Sequence, residues 1–470
     1  MTRLGVFSLA MMTAGSVDSI RNLPATALFG SSLIFFFILG ALFFLLPCAL
    51  VSAELASTSK SHGGIYAWVN QAFGQTTGFL AVWFQWIENV IWYPTILSFV
   101  AGTVAYIINP ALTSNKIFLI AVILTAFWGT TLINLLGIKS SAFFGNICAV
   151  LGLLVPMTLI IALGAVWIFT GNPLQIEFTR TALLPQFNNT SIWVSLTGIM
   201  MSFCGMEIAA VHSSDVRDPQ RSYPRAMLIT TAVILLTLIC GSLAIAVVLP
   251  EQKISLVAGI MQAFDAFFSV YHLQWLLPLI AMTLVVGGMG GVNNWIIAPT
   301  RGLMLALRES RAPAILSRCN RRGAPKILLL SQAVIVTIIT LIFLLLPTIN
   351  SSYWLLTALA AQLYMLMYII MFIAAIRLRY KNVARQPGFV IPGGQWGMWI
   401  VAGAGLMGSI ATFIIGFIPP DNMQIDRVWN YEGLLLSGLL LMTIVPFFAY
   451  LLLRSKVVPT TASLREEPVP

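Results

Sequence analysis

The sequence predicts an all-α integral membrane protein with about twelve transmembrane helices, of which the first and the sixth are discontinuous. Three observations lead to this prediction: an apolar composition, a recurrence of long apolar runs, and two runs that polar residues interrupt. The 470-residue chain is 59% hydrophobic and only 9% charged. A soluble protein of this size could not bury so much apolar surface, so the chain is expected to lie in a lipid bilayer.

Apolar runs of about 20 residues, each long enough to cross a bilayer, occupy nearly the whole chain. The predicted spans are residues 4–29, 32–56, 77–108, 117–136, 141–170, 192–213, 225–249, 274–305, 327–347, 352–377, 397–418 and 432–453. Residues 250–273 are expected to contain a short interfacial helix. The prediction is therefore one polytopic domain over residues 1–456, followed by a short, polar and disordered cytoplasmic tail over residues 457–470.

The basic residues predict the orientation of the chain. By this assignment, 20 of the 25 Lys and Arg residues lie on one side of the membrane, four lie on the other, and Arg21 lies within a span. This positive-inside bias places both termini in the cytoplasm. The net charge of +10 does not indicate nucleic-acid binding, because aromatic residues are not interleaved with the basic ones.

The sixth span is interrupted at a charged residue. Its apolar run continues to Phe203 and Cys204, and Gly205 lies two residues before Glu207. A carboxylate in hydrocarbon costs several kcal/mol and usually marks a functional site, and the glycine lets the backbone unwind. We predict that Glu207 is a gate or a proton-responsive group, since a desolvated carboxylate resists ionisation. The alternative is a carboxylate that only hydrogen-bonds to the other broken helix.

The first span is interrupted in a similar way over residues 14–19, and Pro24 follows. Two broken helices five spans apart have opposite orientations, as an inverted repeat of five plus five helices requires. The repeats are predicted over residues 4–170 and 192–377, with two extra helices over residues 397–453. Broken helices at corresponding positions of two repeats indicate a solute-binding site near the bilayer midplane.

Four further polar residues lie within or beside spans. Asp18 and Arg21 are three residues apart, so either they neutralise each other as a helical ion pair or one of them meets a charged end of the solute. Glu88 is a candidate for lining the cavity or for bonding to a backbone break. Glu54, at the end of its span, is expected to have a structural role at the interface.

Trp295 follows a glycine-rich stretch, residues 287–291, and two asparagines, Asn293 and Asn294. The glycines allow close helix approach, and the tryptophan can either stack on a solute or simply pack. The complete set of predicted substrate-binding residues is Ala14, Gly15, Ser16, Asp18, Ser19, Arg21, Glu88, Phe203, Cys204, Gly205, Glu207, Asn294 and Trp295. Most other Trp and Tyr residues are interpreted as interface anchors or packing.

Nothing in the sequence indicates an enzyme, a cofactor or a metal site. The five cysteines include no C-x-x-C pair, and the three histidines are far apart. Serine-hydrolase, P-loop and zinc-protease motifs are absent. Without a nucleotide-binding motif, direct ATP drive from this chain is not expected.

Several local motifs together resemble a known family. They are Leu46-Pro47, Ser52 to Ala56, Gly63 to Val69, Gly205-Met206-Glu207, Asp218 to Pro224, Trp295 to Gly302, Ile391 to Gly394 and Pro419 to Asn422. On these residues the chain resembles the amino acid–polyamine–organocation (APC) superfamily, and within it the bacterial glutamate/γ-aminobutyrate antiporter family. The resemblance covers nearly the full length. The chain departs from the family pattern at Gly291, where an acidic residue is expected, and in its tail, which is too short for a C-terminal plug.

The resemblance implies the LeuT-like fold, with a 5+5 inverted repeat and two extra helices, and exchange of one amino acid for another across the bacterial inner membrane. Such antiporters often serve acid resistance. The family pattern also implies that Glu207 and Trp295 gate or touch the substrate. It implies that the substrate carboxylate meets backbone N–H groups near Gly15 and Ser16. No cofactor is implied.

The leading functional hypothesis is an amino acid antiporter that works by alternating access. Its site would lie between the first, third, sixth and eighth helices, and whether the tenth helix also lines it is left open. A proton-coupled amino acid symporter and, less favoured, a membrane amino acid sensor are the alternatives. Asp18, Glu88 and Glu207 outnumber Arg21, which favours zwitterionic or cationic solutes. Membrane lipid is the other expected partner, and a homodimer is left open.

Overall fold

A computed structural model describes residues 5–58, 64–136, 148, 150–185, 193–208, 216, 218–309, 313, 315–381, 388–420 and 428–455. The predicted tail over residues 457–470 lies outside these, and so does the side chain of Asn294. Within the described residues the secondary structure is helical and contains no strand. The helices are α1 (Val6–Val17), α2 (Leu23–Ala27), α3 (Leu33–Gly40), α4 (Leu46–Thr58), α5 (Gly64–Phe73), α6 (Gln75–Ile108), α7 (Lys116–Leu135), α8 (Val155–Phe169), α9 (Arg180–Leu183), α10 (Ser195–Ser202), α11 (Pro219–Val248), α12 (Gly259–Tyr271), α13 (Leu277–Glu309), α14 (Lys326–Thr340), α15 (Ile342–Leu345), α16 (Ile349–Tyr380), α17 (Gly394–Ile415) and α18 (Val428–Ser455).

The described part of the chain contains ten helical segments that are long and apolar enough to cross a membrane. These segments are Gly30–Thr58, Gln75–Ile108, Lys116–Leu135, Val150–Phe169, Gln220–Val248, Gln274–Asn293, Lys326–Leu345, Ile349–Tyr380, Gly394–Ile415 and Asn430–Phe448. Two shorter apolar helices, Val6–Val17 and Ser195–Ile208, lie in the predicted first and sixth spans. The all-α, multi-pass architecture is therefore confirmed, while the count of twelve spans and the inverted repeat stay predictions.

Three long helices form the centre of the molecule. Helix α6 packs extensively against both α13 and α16, and α16 also packs against α17. The two short helices that precede the breaks approach this centre from outside: α1 lies against α11, and α10 lies against α3 and α16. Glu88 near the middle of α6 and Tyr364 near the middle of α16 are consequently buried, which sets the environment of the site.

Glycines let α13 approach its neighbours closely, as the sequence predicts. A side-chain carbon at Gly287 would lie 2.3 Å from the Cα atom of Gly152, and one at Gly290 would lie 2.9 Å from the Cys148 sulfur. Gly291, in contrast, has ordinary space around it, with the nearest atom at 3.6 Å on Ile96. Because Gly287 and Gly152 have no side chains, α13 and the segment around Gly152 can pack backbone to backbone.

A buried ion pair ties together three separate segments at one end of the bundle. The carboxylate of Glu54 on α4 pairs with Arg379 on α16, and its second oxygen accepts the Ile391 N–H at 2.8 Å. Arg379 also donates to the carbonyls of Ile391 and Gly394, at 2.7 and 2.9 Å. Because each charge is hydrogen-bonded on several sides, this arrangement has the structural character that the sequence predicts for Glu54.

The predicted short helix between the seventh and eighth spans corresponds to α12. Its apolar residues Ile260, Phe264 and Phe268 are completely buried. They pack within the protein, so the predicted short helix is present, and its position at the membrane interface stays a prediction. Its Asp265 accepts a hydrogen bond of 2.7 Å from Tyr106 on α6.

We predict that Gly287→Ala lowers the stability of the protein and that Gly403→Ala does not. The added methyl group at position 287 meets the backbone of Gly152, whereas nothing lies within 4 Å of the corresponding position at Gly403 on α17. Both substitutions gain up to about 1 kcal/mol of helix propensity. The difference between their changes in the free energy of unfolding therefore isolates the overpacking cost at position 287, which is about 1–3 kcal/mol. Thermal unfolding of the purified variants in detergent measures this difference. Equal shifts of the midpoint would contradict the packing described here.

Candidate functional site

The first break follows directly from the end of α1. The Asp18 N–H bonds to the Ala14 carbonyl at 2.7 Å, and the backbone is then extended at Asp18 and Ser19 before a short 3₁₀ turn, Ile20–Asn22. Ser16 and Val17 belong to the last turn of α1, where the free backbone groups are carbonyls. This end of the break is therefore complementary to an ammonium group, and not to the carboxylate that the resemblance implies near Ser16.

The predicted second break follows α10, which ends at Ser202, and we use the name second break for residues 203–208. Phe203, Cys204 and Gly205 form a turn, and a short 3₁₀ helix carries Met206 to Ile208. Gly205 has a φ of 112°, a value that residues with a side chain rarely adopt. Its Cα faces the first break and α13: an added carbon would lie 3.7 Å from the Ser16 carbonyl oxygen and 3.6 Å from the Trp295 ring. The two breaks thus meet at Gly205.

Glu207 accepts three hydrogen bonds inside the protein. One carboxylate oxygen accepts from Gln85 at 3.0 Å and from the Tyr364 hydroxyl at 2.7 Å, and the other accepts from the Tyr368 hydroxyl at 2.5 Å. The Tyr368 hydroxyl itself accepts the Gly205 N–H at 2.8 Å. Since that hydroxyl has one proton, it must direct it to Glu207, an arrangement suited to the carboxylate form.

Asp18 and Arg21 do not form the ion pair that their spacing suggests. Arg21 is only 3% exposed and donates to the hydroxyls of Thr95 and Tyr353, at 2.9 and 3.1 Å. Its guanidinium carbon lies 5.1 Å from the centre of the Trp92 ring. Asp18 instead accepts a hydrogen bond of 2.8 Å from the Thr237 hydroxyl on α11. The pairing alternative fails because the backbone is extended between the two residues, so the helical neighbour geometry is lost.

Glu88 lies on α6, near the charges of Arg21 and Glu207. It is buried and accepts a hydrogen bond of 3.1 Å from Asn89. It lies within electrostatic range of both Arg21 and Glu207, without an ion-pair contact to Arg21. The site therefore contains three buried carboxyl groups and one guanidinium.

Trp295 lies half-buried at the middle of α13. Its ring centre is 6.0 Å from that of Trp92, and its carbonyl accepts a hydrogen bond of 2.9 Å from Tyr93. The two indole rings and the second break together form an apolar wall beside the charged groups. Such a wall can pack against the carbon chain of a solute.

Two adjacent cavities open at the breaks. The first has an empty volume of about 680 Å³ and the second of about 390 Å³. Both are lined by Ser16, Ser19, Arg21, Trp92 and Trp295. Asp18 lines only the first of them, whereas Glu88, Cys204 and Tyr364 line only the second.

The predicted residues divide into two groups. Those that line one or both cavities are Gly15, Ser16, Asp18, Ser19, Arg21, Glu88, Cys204 and Trp295. Ala14 and Phe203 are buried in the hydrophobic core and do not line a cavity. Gly205 and Glu207 do not line one either, and both hydrogen-bond to Tyr368 at the second break. Among the described residues, no group of three His, Cys, Asp or Glu side chains could hold a metal ion.

Several residues of the site were not predicted. Tyr364 and Tyr368 were interpreted with the other tyrosines as anchors or packing, and this interpretation is wrong because both hydroxyls bind Glu207. The signal was present in the sequence: Tyr353, Tyr364 and Tyr368 are spaced by eleven and four residues, which places them on one face of α16. Gln85 and Thr95 on α6 were likewise missed.

Comparisons with known proteins identify the family. The family model described as "Amino acid permease" matches residues 4–442. The chain belongs to the amino acid permease family. The permease is 44% identical to an uncharacterized transporter of Legionella pneumophila, over 94% of this chain and 96% of that protein.

Relatives with named substrates are more distant. The permease is 30% identical to the glutamate/gamma-aminobutyrate antiporter of Lactococcus lactis, over 95% of this chain and 90% of that protein. It is 24% identical to a probable agmatine/putrescine antiporter of the same species, over 92% and 91% of the two chains. Together with the apolar helices, these relatives show that the permease is a multi-pass bacterial membrane protein.

We predict that Tyr368→Phe destabilises the permease more than Tyr364→Phe. Without the Tyr368 hydroxyl, both the Gly205 N–H and one Glu207 oxygen lose their partner, whereas the oxygen bound by Tyr364 keeps Gln85. Each buried group without a partner costs about 1–3 kcal/mol. Thermal unfolding of the two variants in detergent provides the comparison. Equal losses of stability would show that the link between Gly205 and α16 is unimportant.

Proposed function

We propose that this permease exchanges one amino acid for another across the bacterial inner membrane by alternating access, with both termini in the cytoplasm. The observation that carries the proposal is the convergence of both helix breaks on cavities halfway along the long central helices. Trp92, Trp295 and Tyr364 line these cavities and lie near the middle of α6, α13 and α16. Because these helices are long enough to cross a bilayer, a solute bound between them lies near its midplane.

The contact between the breaks supports a transport role. A solute in the cavities touches Ser16 and Ser19 at the first break and Cys204 at the second. Its binding free energy can therefore favour one relative arrangement of the two breaks over another. Trp295 lies against Gly205 and packs on the solute, and Glu207 holds the second break to α16 and acts as the gate. None of these roles needs a catalytic step.

The charges of the site favour amino acids that carry a positive group. The carbonyl end of α1 and the carboxylate of Asp18 attract an ammonium group. Three buried carboxyl groups, on Asp18, Glu88 and Glu207, outnumber the single guanidinium of Arg21. The relatives, which include glutamate/gamma-aminobutyrate and arginine/ornithine antiporters, support exchange of amino acids. No catalytic motif accompanies this site, and the permease is proposed to be a transporter and not an enzyme.

Proton-coupled uptake is the second candidate, and the buried carboxyl groups favour it. Asp18, Glu88 and Glu207 are all nearly inaccessible to solvent. Carboxyl groups inside a membrane protein frequently carry protons along a transport path. In this alternative, uptake would follow a proton gradient and would not require an amino acid on the opposite side.

Uptake of radiolabelled amino acids into liposomes that contain the purified permease separates these candidates. The measurement is made with and without amino acids inside, at acidic and at neutral pH. Uptake that requires an internal amino acid establishes exchange, and the best pair names the substrates. Uptake into empty liposomes that follows an imposed proton gradient would replace exchange by symport.

We predict that Trp295→Ala and Glu207→Gln each reduce exchange by at least about tenfold, while both variants insert and fold. Trp295→Ala removes the wall against which the solute packs. A glutamine at position 207 presents its N–H₂ group to the Tyr368 hydroxyl, so the hydrogen bond that this hydroxyl donates to Glu207 is lost, which costs about 1–3 kcal/mol. Gly403→Ala on α17 is the matched control and should exchange at the normal rate. Normal exchange by either site variant in liposomes would refute its role.

A further inference from the structure

Two opposite charges at the first break each have a buried atom without a partner. Within the described part of the chain, the Nε–H of Arg21 donates no hydrogen bond and the Oδ1 atom of Asp18 accepts none. The Nη1 atom of Arg21 donates to the hydroxyls of Thr95 and Tyr353, and the Oδ2 atom of Asp18 accepts from the Thr237 hydroxyl, all of which are neutral. The Ser19 N–H lies near the Asp18 carboxyl group but outside hydrogen-bond geometry. Neither Asp18 nor Arg21 therefore contacts a group of opposite charge.

The backbone keeps these two charges apart. At Asp18 and Ser19 the chain is extended, with ψ of 130° and φ of −146°. Asp18 consequently turns to α11, where Thr237 lies, and Arg21 turns to α6 and α16, where Thr95 and Tyr353 lie. A buried charge that lacks a counter-ion costs several kcal/mol, so a site that holds two of them is complementary to a ligand that supplies both.

Asp18 and Arg21 both line the larger cavity, together with Trp92 and Trp295. Glu88 acts on Arg21 only across a distance longer than an ion pair, so it does not occupy the free Nε position. The two side chains, one a donor and the other an acceptor, therefore line the same space. A single small solute can reach both.

We infer that the transported solute completes this divided ion pair, with its carboxylate on Arg21 and its ammonium on Asp18 and the carbonyl end of α1. The inference rests on the proposed function and specifies its substrate class. A zwitterionic amino acid satisfies both charges. A diamine places a second ammonium against Arg21, and a dicarboxylate without an amino group places an anion against Asp18. The permease thus selects amino acids against polyamines by charge and not by size.

Ligand analogues that lack one charge test this inference. The probe is the amino acid that gives the highest exchange in the liposome assay, together with its carboxamide and its desamino acid. Binding of all three to purified permease is measured by calorimetry, for the wild type, Arg21→Gln and Asp18→Asn. A charge-assisted hydrogen bond corresponds to about tenfold or more in affinity, so the wild type should prefer the amino acid to both analogues by at least that factor.

The expected result is a crossed pattern. Arg21→Gln should lose the preference over the carboxamide and keep the preference over the desamino acid, and Asp18→Asn should do the opposite. The preference that each variant keeps shows that its site is still folded. Arg21→Lys and Asp18→Glu retain the charges and provide the same comparison if a neutral variant does not fold, with both preferences retained in part.

Two results would overturn the inference. One is a wild-type permease that exchanges amino acids but binds the carboxamide or the desamino acid as tightly as the amino acid. The other is a pair of variants with unchanged preferences. Failure of the proposed function is distinguishable from these, because it appears earlier, as the absence of amino acid exchange by the wild type.

Discussion

The hydroxyl group of Tyr368 is the contact on which the second helix break depends. It accepts the Gly205 N–H and donates to Glu207, so it satisfies two groups that the end of α10 leaves in an apolar interior. Backbone groups without partners are not tolerated in such an environment. The break, the carboxylate and α16 therefore form one unit, and the position of Gly205 against Ser16 and Trp295 follows from it.

The sequence allows the charged and irregular parts of the site to be predicted, because they contrast with their apolar surroundings. Glu207, Arg21 and Trp295 stand out for this reason, and Arg21 and Trp295 do line the cavities. The tyrosines of α16 do not stand out, since a buried tyrosine and an anchoring tyrosine have the same local pattern. Their partner lies 157 residues away from Tyr364 along the chain, and only the packing of α16 beside the break brings them together.

The first break shows where local rules stop being reliable. A spacing of three residues predicts that Asp18 and Arg21 are neighbours, but this holds only within a continuous helix. Here α1 ends at Val17, and the extended residues that follow send the two side chains to different helices. The same ending reverses the expected polarity of the break near Ser16, because the last turn of a helix exposes carbonyls.

The ion pair of Glu54 and Arg379 has a mechanical consequence. It joins α4, α16 and the segment that leads into α17 through one buried carboxylate. Separation of these elements at that end would leave a desolvated charge without its partner, which costs several kcal/mol. In the alternating access proposed above, we therefore expect these three elements to move together at this end of the bundle.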